Sequence, residues 1–159
     1  SPLTPDVRPQ YPTHRLAQRM SFFSRLRRPL QPPLSRGSVL AGQVWRYHTR
    51  PNEDGSTLLV LSVETVDGET VIHVRVRGVA LQSAPGCQPI SVVGHMPLSW
   101  QSFEQSVTSR LGASECVPDH SEALTIWREG GGGIWAVPLA AALDHTQTTF
   151  TTAERISPL

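Results

Sequence analysis

The sequence predicts an α+β domain: a curved antiparallel sheet, or a small partly open β-barrel, of four to five strands packed against two short helices. Three observations carry this. Residues 43–50 alternate aromatic and basic side chains with a period of two, which is a strand pattern. Asp67-Gly68 sits between two β-rich runs, Thr57–Val66 and Glu69–Val76, and Asp-Gly is a two-residue hairpin turn signal. After Ser99, the residues Trp100, Phe103, Val107 and Leu111 recur at helical spacing.

Residues 1–36 form a basic Pro/Arg-rich N-terminal arm with seven prolines, a composition that favours extended chain. Within it, Met20-Ser-Phe-Phe-Ser-Arg-Leu-Arg-Arg reads as a natural start, so residues 1–19 are expected to be a leader. The single α+β domain is expected over residues 37–145. Strand 43–50 places Trp45, Tyr47 and Thr49 on one face and Arg46, His48 and Arg50 on the other. Pro51 to Gly55 is a turn cluster. The hairpin turn sets Val66 opposite Glu69. An unbroken register then pairs Val63 with Ile72, Leu61 with Val74 and Leu59 with Val76 on one face. The other face pairs Ser62 with His73, Val60 with Arg75 and Leu58 with Arg77.

A short strand is expected over Ile90–Val93, followed by a helix from Ser99 to Leu111. Ser99 is its N-cap, Leu98 and Phe103 form a hydrophobic staple, and Gly112 ends it. A shorter helix starts at Asp119, buries Ala123, Leu124 and Trp127, and stops at Gly130–Gly133. Ile134–Val137 reads as a last strand, with a turn of helix through Leu143. Residues 146–159 are Thr-rich and read as a loose C-terminal tail. The four tryptophans each lie on an apolar stripe and are expected in the core.

Charge is divided along the chain. Residues 1–36 carry seven arginines and one acid, a net of +6, whereas residues 37–159 carry seven arginines and twelve acids, a net of −5. All fourteen cations are arginine and lysine is absent. That excludes lysine-dependent chemistry on this stretch of chain: a Schiff-base amine, a Ser-Lys pair or a Walker A loop. Two cysteines are too few for a disulfide scaffold, and a reducing, cytoplasmic setting is expected; an Arg-rich leader would instead suit organelle targeting. No stretch approaches the roughly 18 apolar residues of a membrane span.

Three function classes follow. The leading one is a non-catalytic binding or accessory domain that engages another protein, with the arm as a docking strand and no cofactor. Arg25, Arg27 and Arg28 beside Phe22 and Phe23 are its electrostatic candidates. The second is RNA or DNA binding through that arm and a basic strand face of Arg46, His48, His73, Arg75 and Arg77, whose guanidinium forks suit phosphate. An acidic body argues against it. The third is a small zinc or thiol/His enzyme built on Cys87, His95, Cys116 and His120. These residue types can ligate zinc, but structural sites use tighter pairs than this spacing offers.

Overall fold

A computed structural model describes residues 33–156, with side chains as far as residue 152, and the arm arginines Arg25, Arg27 and Arg28 lie outside the described residues. All the elements fall within the unit Leu34–Leu159. After a 3-10 turn at Arg36–Ser38 come β1 (Val44–Tyr47), β2 (Thr57–Val66), β3 (Glu69–Leu81) and β4 (Ile90–Ser99). Then follow α1 (Trp100–Ser106), β5 (Val107–Leu111), α2 (Ser121–Glu129) and α3 (Leu139–Ile156). The five strands form one open antiparallel sheet in the order β4-β3-β2-β1-β5. The predicted α+β class therefore stands, with an open sheet and, among the described residues, three α-helices.

The β2–β3 hairpin closes as the turn chemistry dictates. Asp67 at φ 51° and Gly68 at φ 82° both occupy the left-handed region that a type I′ turn requires. Val66 faces Glu69, Val63 faces Ile72 and Ser62 faces His73. Beyond Ser62 the register departs from expectation. A bulge at Leu61 shifts the pairing by one, so Val60 faces Val74, Leu59 faces Arg75 and Leu58 faces Val76. An extra residue on one strand turns the following side chains to the opposite face. Leu59 and Leu61 accordingly leave the main core for a second apolar cluster with Val44, flanked by Leu111 and Val117.

The main core lies on the first face. Leu58, Val60, Ile72, Val74 and Val76 from the hairpin meet Met96, Leu98, Trp100, Phe103, Leu139, Ala142 and Leu143. Ser99 caps α1, its hydroxyl accepting the Ser102 N–H at 3.0 Å, and Leu98 and Phe103 are both fully buried, as the staple requires. The helix then stops at Ser106, short of the expected Leu111. Val107 and Thr108 are β-branched, and pairing Val107–Leu111 with β1 satisfies backbone groups that would otherwise lie beside an open sheet edge.

Three further expectations are corrected. β4 runs through to Ser99 because its pairing with β3 extends from Ile90 to Ser99, with register shifts that leave Gly94 and His95 unpaired in the ladder. Ile134–Val137 forms no strand; Trp135 makes one parallel bridge to Leu98, donating its N–H to the Pro97 carbonyl and accepting that of Ser99. The Thr-rich segment continues α3 as far as Ile156. Leu139, Ala142, Leu143, Thr146 and Phe150 repeat along one helical face, and the hydroxyls of Thr146, Thr148, Thr149 and Thr151 bond the carbonyl four residues back. Among the described residues no helix is long and apolar enough to cross a membrane.

Segment 112–120 crosses the second face and carries the chain to α2. It approaches at Gly42, where φ is +93° and a Cβ would lie 2.8 Å from the Glu115 carbonyl, so only glycine fits. The Glu115 N–H bonds the Gly42 carbonyl at 2.8 Å.

Candidate functional site

Beyond the apolar cluster, the second face turns polar beneath α2. His73 projects from the middle of β3 and is fully buried, an unusual place for an imidazole. Both ring nitrogens are engaged. Nε2 lies 2.7 Å from Glu64 Oε1 on β2, and Nδ1 lies 2.8 Å from His95 Nε2 on β4. The His73 and His95 rings stack at 5.0 Å between centroids, and the Trp127 indole of α2 meets His73 edge-on at 4.7 Å. Arg128, the next residue on α2, donates to Glu64 Oε2 at 3.3 Å.

The glycine run explains how α2 presents Trp127. Gly131 and Gly132 take φ of 102° and 64°, values that L side chains rarely adopt. They fold the chain back so that the Gly132 N–H reaches the Trp127 carbonyl at 2.8 Å and the Trp127 indole N–H reaches the Gly133 carbonyl at 2.8 Å. The four glycines therefore fix the indole.

Charge states follow from the partners. Burial raises the Glu64 carboxyl, but hydrogen bonds from His73 and Arg128 outweigh it and hold the group below the ordinary carboxylate range. Burial lowers His73, and the neighbouring Glu64 only partly restores it. His95 is pushed down to about 4, first by burial and then by the adjoining His73 and His120. At neutral pH the chain is an ionised carboxylate and two neutral imidazoles. Glu64 can only accept, so His73 donates from Nε2 and His95 donates from its Nε2 to His73 Nδ1. His95 Nδ1 is left as an oriented acceptor.

His95 opens onto a shallow cleft of about 290 Å³ lined by Arg75, Gly94, His95, Asp119, His120, Glu122 and Ala123. His120 donates from Nδ1 to the Pro118 carbonyl at 3.1 Å, and its Nε2 lies 3.2 Å from the Ser62 hydroxyl. Asp119 is tied to the start of α2 through the Ser121 N–H and hydroxyl. Arg75 extends its Nε toward the Gly94 carbonyl at 3.4 Å, and among the described residues no carboxylate pairs with it.

The residues named from sequence scatter accordingly. Arg46 and His48 are exposed on or beside β1. Arg77 is engaged by Glu115 at 2.9 Å. Arg50 is held by both oxygens of buried Glu53, which also accepts the Ala80 N–H. With His73 buried, only Arg75 of the basic strand set reaches the cleft. Cys87 and Cys116 are free and exposed, whereas His95 and His120 share the cleft. Among the described residues no group of three or more His, Cys, Asp and Glu side chains could hold a metal ion. Sequence reasoning missed Glu64, Trp127 and Arg128 as members of one site. The Ser62–His73 pairing was its one usable signal, because it placed a histidine mid-strand on the side away from the hairpin's apolar positions. Of the tryptophans, Trp100 is buried and the other three are half-buried.

No protein-family model matches the chain, and neither a curated protein nor a solved structure matches it.

Proposed function

We propose that the chain is a non-catalytic binding module that engages another protein, with the cleft between β4 and α2 as its recognition centre. The Arg-rich arm of residues 1–36 supplies an additional electrostatic docking strand. The observation that carries this reading is the Glu64–His73–His95 chain, which leaves one neutral acceptor, Nδ1, on His95, a residue that lines the cleft. A general base works best with a pKa near the operating pH, and His95 at about 4 is too weakly basic by about three units. His120 is backed by a carbonyl where a catalytic triad has a carboxylate, and Ser62 does not line the cleft. Hydrogen-bond recognition therefore suits these groups better than proton abstraction. The volume lies just below the roughly 300–1,000 Å³ of small-molecule pockets, and it suits one residue of a larger partner.

The test is to pan a peptide display library on the full-length chain and titrate the recovered peptides against variants. Binding weakened at least tenfold by Arg75→Gln and by His95→Ala, and unchanged by Arg46→Gln, supports the reading. Binders indifferent to both cleft changes would sink it.

A further inference from the structure

Of the six other arginines whose side chains are described, three are paired with carboxylates: Arg50 with Glu53 and Asp144, Arg77 with Glu115, and Arg128 with Glu64. Arg36 lies over the Trp100 ring, and Arg110 is exposed on β5. Arg46 is exposed on β1. Arg75 is half-buried in the cleft, and only its Nε is used, toward the carbonyl of Gly94. Its terminal nitrogens form a planar fork of N–H donors, the geometry that takes a carboxylate bidentately. Gly94 sits next to His95, and beyond its own chain neighbours nothing lies within 4 Å of where its side chain would stand. Across the cleft, the N–H groups of Glu122 and Ala123 open α2 and have no acceptor among the described residues.

We propose that this cleft recognises the C-terminal residue of a partner polypeptide, whose carboxylate sits on Arg75 and whose last backbone N–H donates to His95 Nδ1. The inference rests on the binding reading above and names its ligand. A terminal residue presents an anion and an N–H donor two bonds apart, and the cleft lining brings together a guanidinium bonded to the Gly94 carbonyl and the adjoining His95 imidazole acceptor. An anion without a donor would leave His95 facing it with a lone pair. A phosphate dianion fits less well, because one guanidinium faces it while Asp119 and Glu122 repel it from the rim.

The minimal probe is N-acetylglycine, which carries both groups, with N-acetylglycinamide and inorganic phosphate as comparisons. Each is titrated into the full-length chain while the His95 and Arg75 side-chain resonances are followed by NMR. The expected result is saturable binding of N-acetylglycine with a dissociation constant on the order of 1 mM, and binding at least tenfold weaker for the amide. Arg75→Gln should abolish the response, Arg75→Lys should weaken it, and Arg46→Gln should leave it intact. The Lys variant keeps the charge and serves if the Gln variant fails to fold. Equal responses to acid and amide, or tighter binding of phosphate, would overturn the carboxylate assignment. A parallel titration compares one library-selected peptide with free and amidated C-termini. Loss on amidation supports a polypeptide end. Cleft-dependent binding by both forms would refute this inference and leave the binding reading standing. Binding of N-acetylglycine as tight as that of any peptide would point to a free metabolite and overturn the polypeptide source.

Discussion

The two faces of the sheet are built from the same strands yet follow different rules. The first face is dry: Leu58, Val60, Ile72, Val74 and Val76 interdigitate with Phe103, Leu98 and Leu139, and apolar burial holds it. The second begins apolar at Val44, Leu59 and Leu61 and then becomes a hydrogen-bonded chain of Glu64, His73 and His95 under the Trp127 indole. A dry face tolerates any well-packed hydrophobes of the right volume. A buried polar chain demands that every member keep its partner. Such a demand costs stability and is the feature that separates a site from ordinary core.

The largest expected effect comes from breaking the dry face. Phe103 is fully buried and touches both Trp45 and Trp100, so Phe103→Ala should cost roughly 3–5 kcal/mol in urea unfolding. A loss under 1 kcal/mol would mean that α1 does not pack as described. Breaking the polar face at its centre should cost somewhat less. His73→Ala leaves Glu64 Oε1 and the His95 N–H without their partners, although Arg128 still holds Glu64 Oε2, and we expect a loss of roughly 2–4 kcal/mol. Adding Glu64→Gln should then cost less than it does in the wild-type background, because the two residues act as a unit.

The smallest effect sharpens the comparison through pH. His95 has a folded-state pKa of about 4 against an ordinary 6.5, so the unfolded chain binds the extra proton between those values. Its contribution is fully present above pH 6.5 and is lost as pH falls toward 4. At 1.36 kcal/mol per unit the upper bound is roughly 3 kcal/mol, and solvent at the cleft mouth reduces it. The urea midpoint should therefore drop between pH 7 and pH 5, and His95→Gln should flatten that drop. A wild-type midpoint that is constant across this window would contradict the buried, neutral state of His95.

Legibility in the sequence follows the same division. The hairpin turn, the Ser99 cap and the staple are local chemistry, and all three stand as read from Asp67-Gly68, Ser99 and Leu98/Phe103. What local patterns could not give was the bulge at Leu61. A single extra residue sent Leu59 and Leu61 to the second face, and no turn residue marks it. Likewise the helical stripe Trp100–Phe103–Val107–Leu111 was real as a pattern, but β1 needed a partner and took Val107–Leu111 as a strand. The α3 stripe through Thr146 and Phe150 was present too, hidden by threonines whose hydroxyls bond back to the helix. The site was less legible still. Its members come from β2, β3, β4 and α2, so only the sheet order and the path of segment 112–120 bring them together.

The most direct test of the account is the tautomeric state of the two histidines at pH 7, read from the ¹⁵N shifts and long-range couplings of selectively labelled full-length protein. Neutral rings with the proton on Nε2 in both His73 and His95 are the expected result, because that state alone lets Glu64 accept and leaves His95 Nδ1 as an acceptor. A cationic His95, or one protonated on Nδ1, would turn His95 Nδ1 from an acceptor into a donor and contradict the recognition chemistry proposed for it.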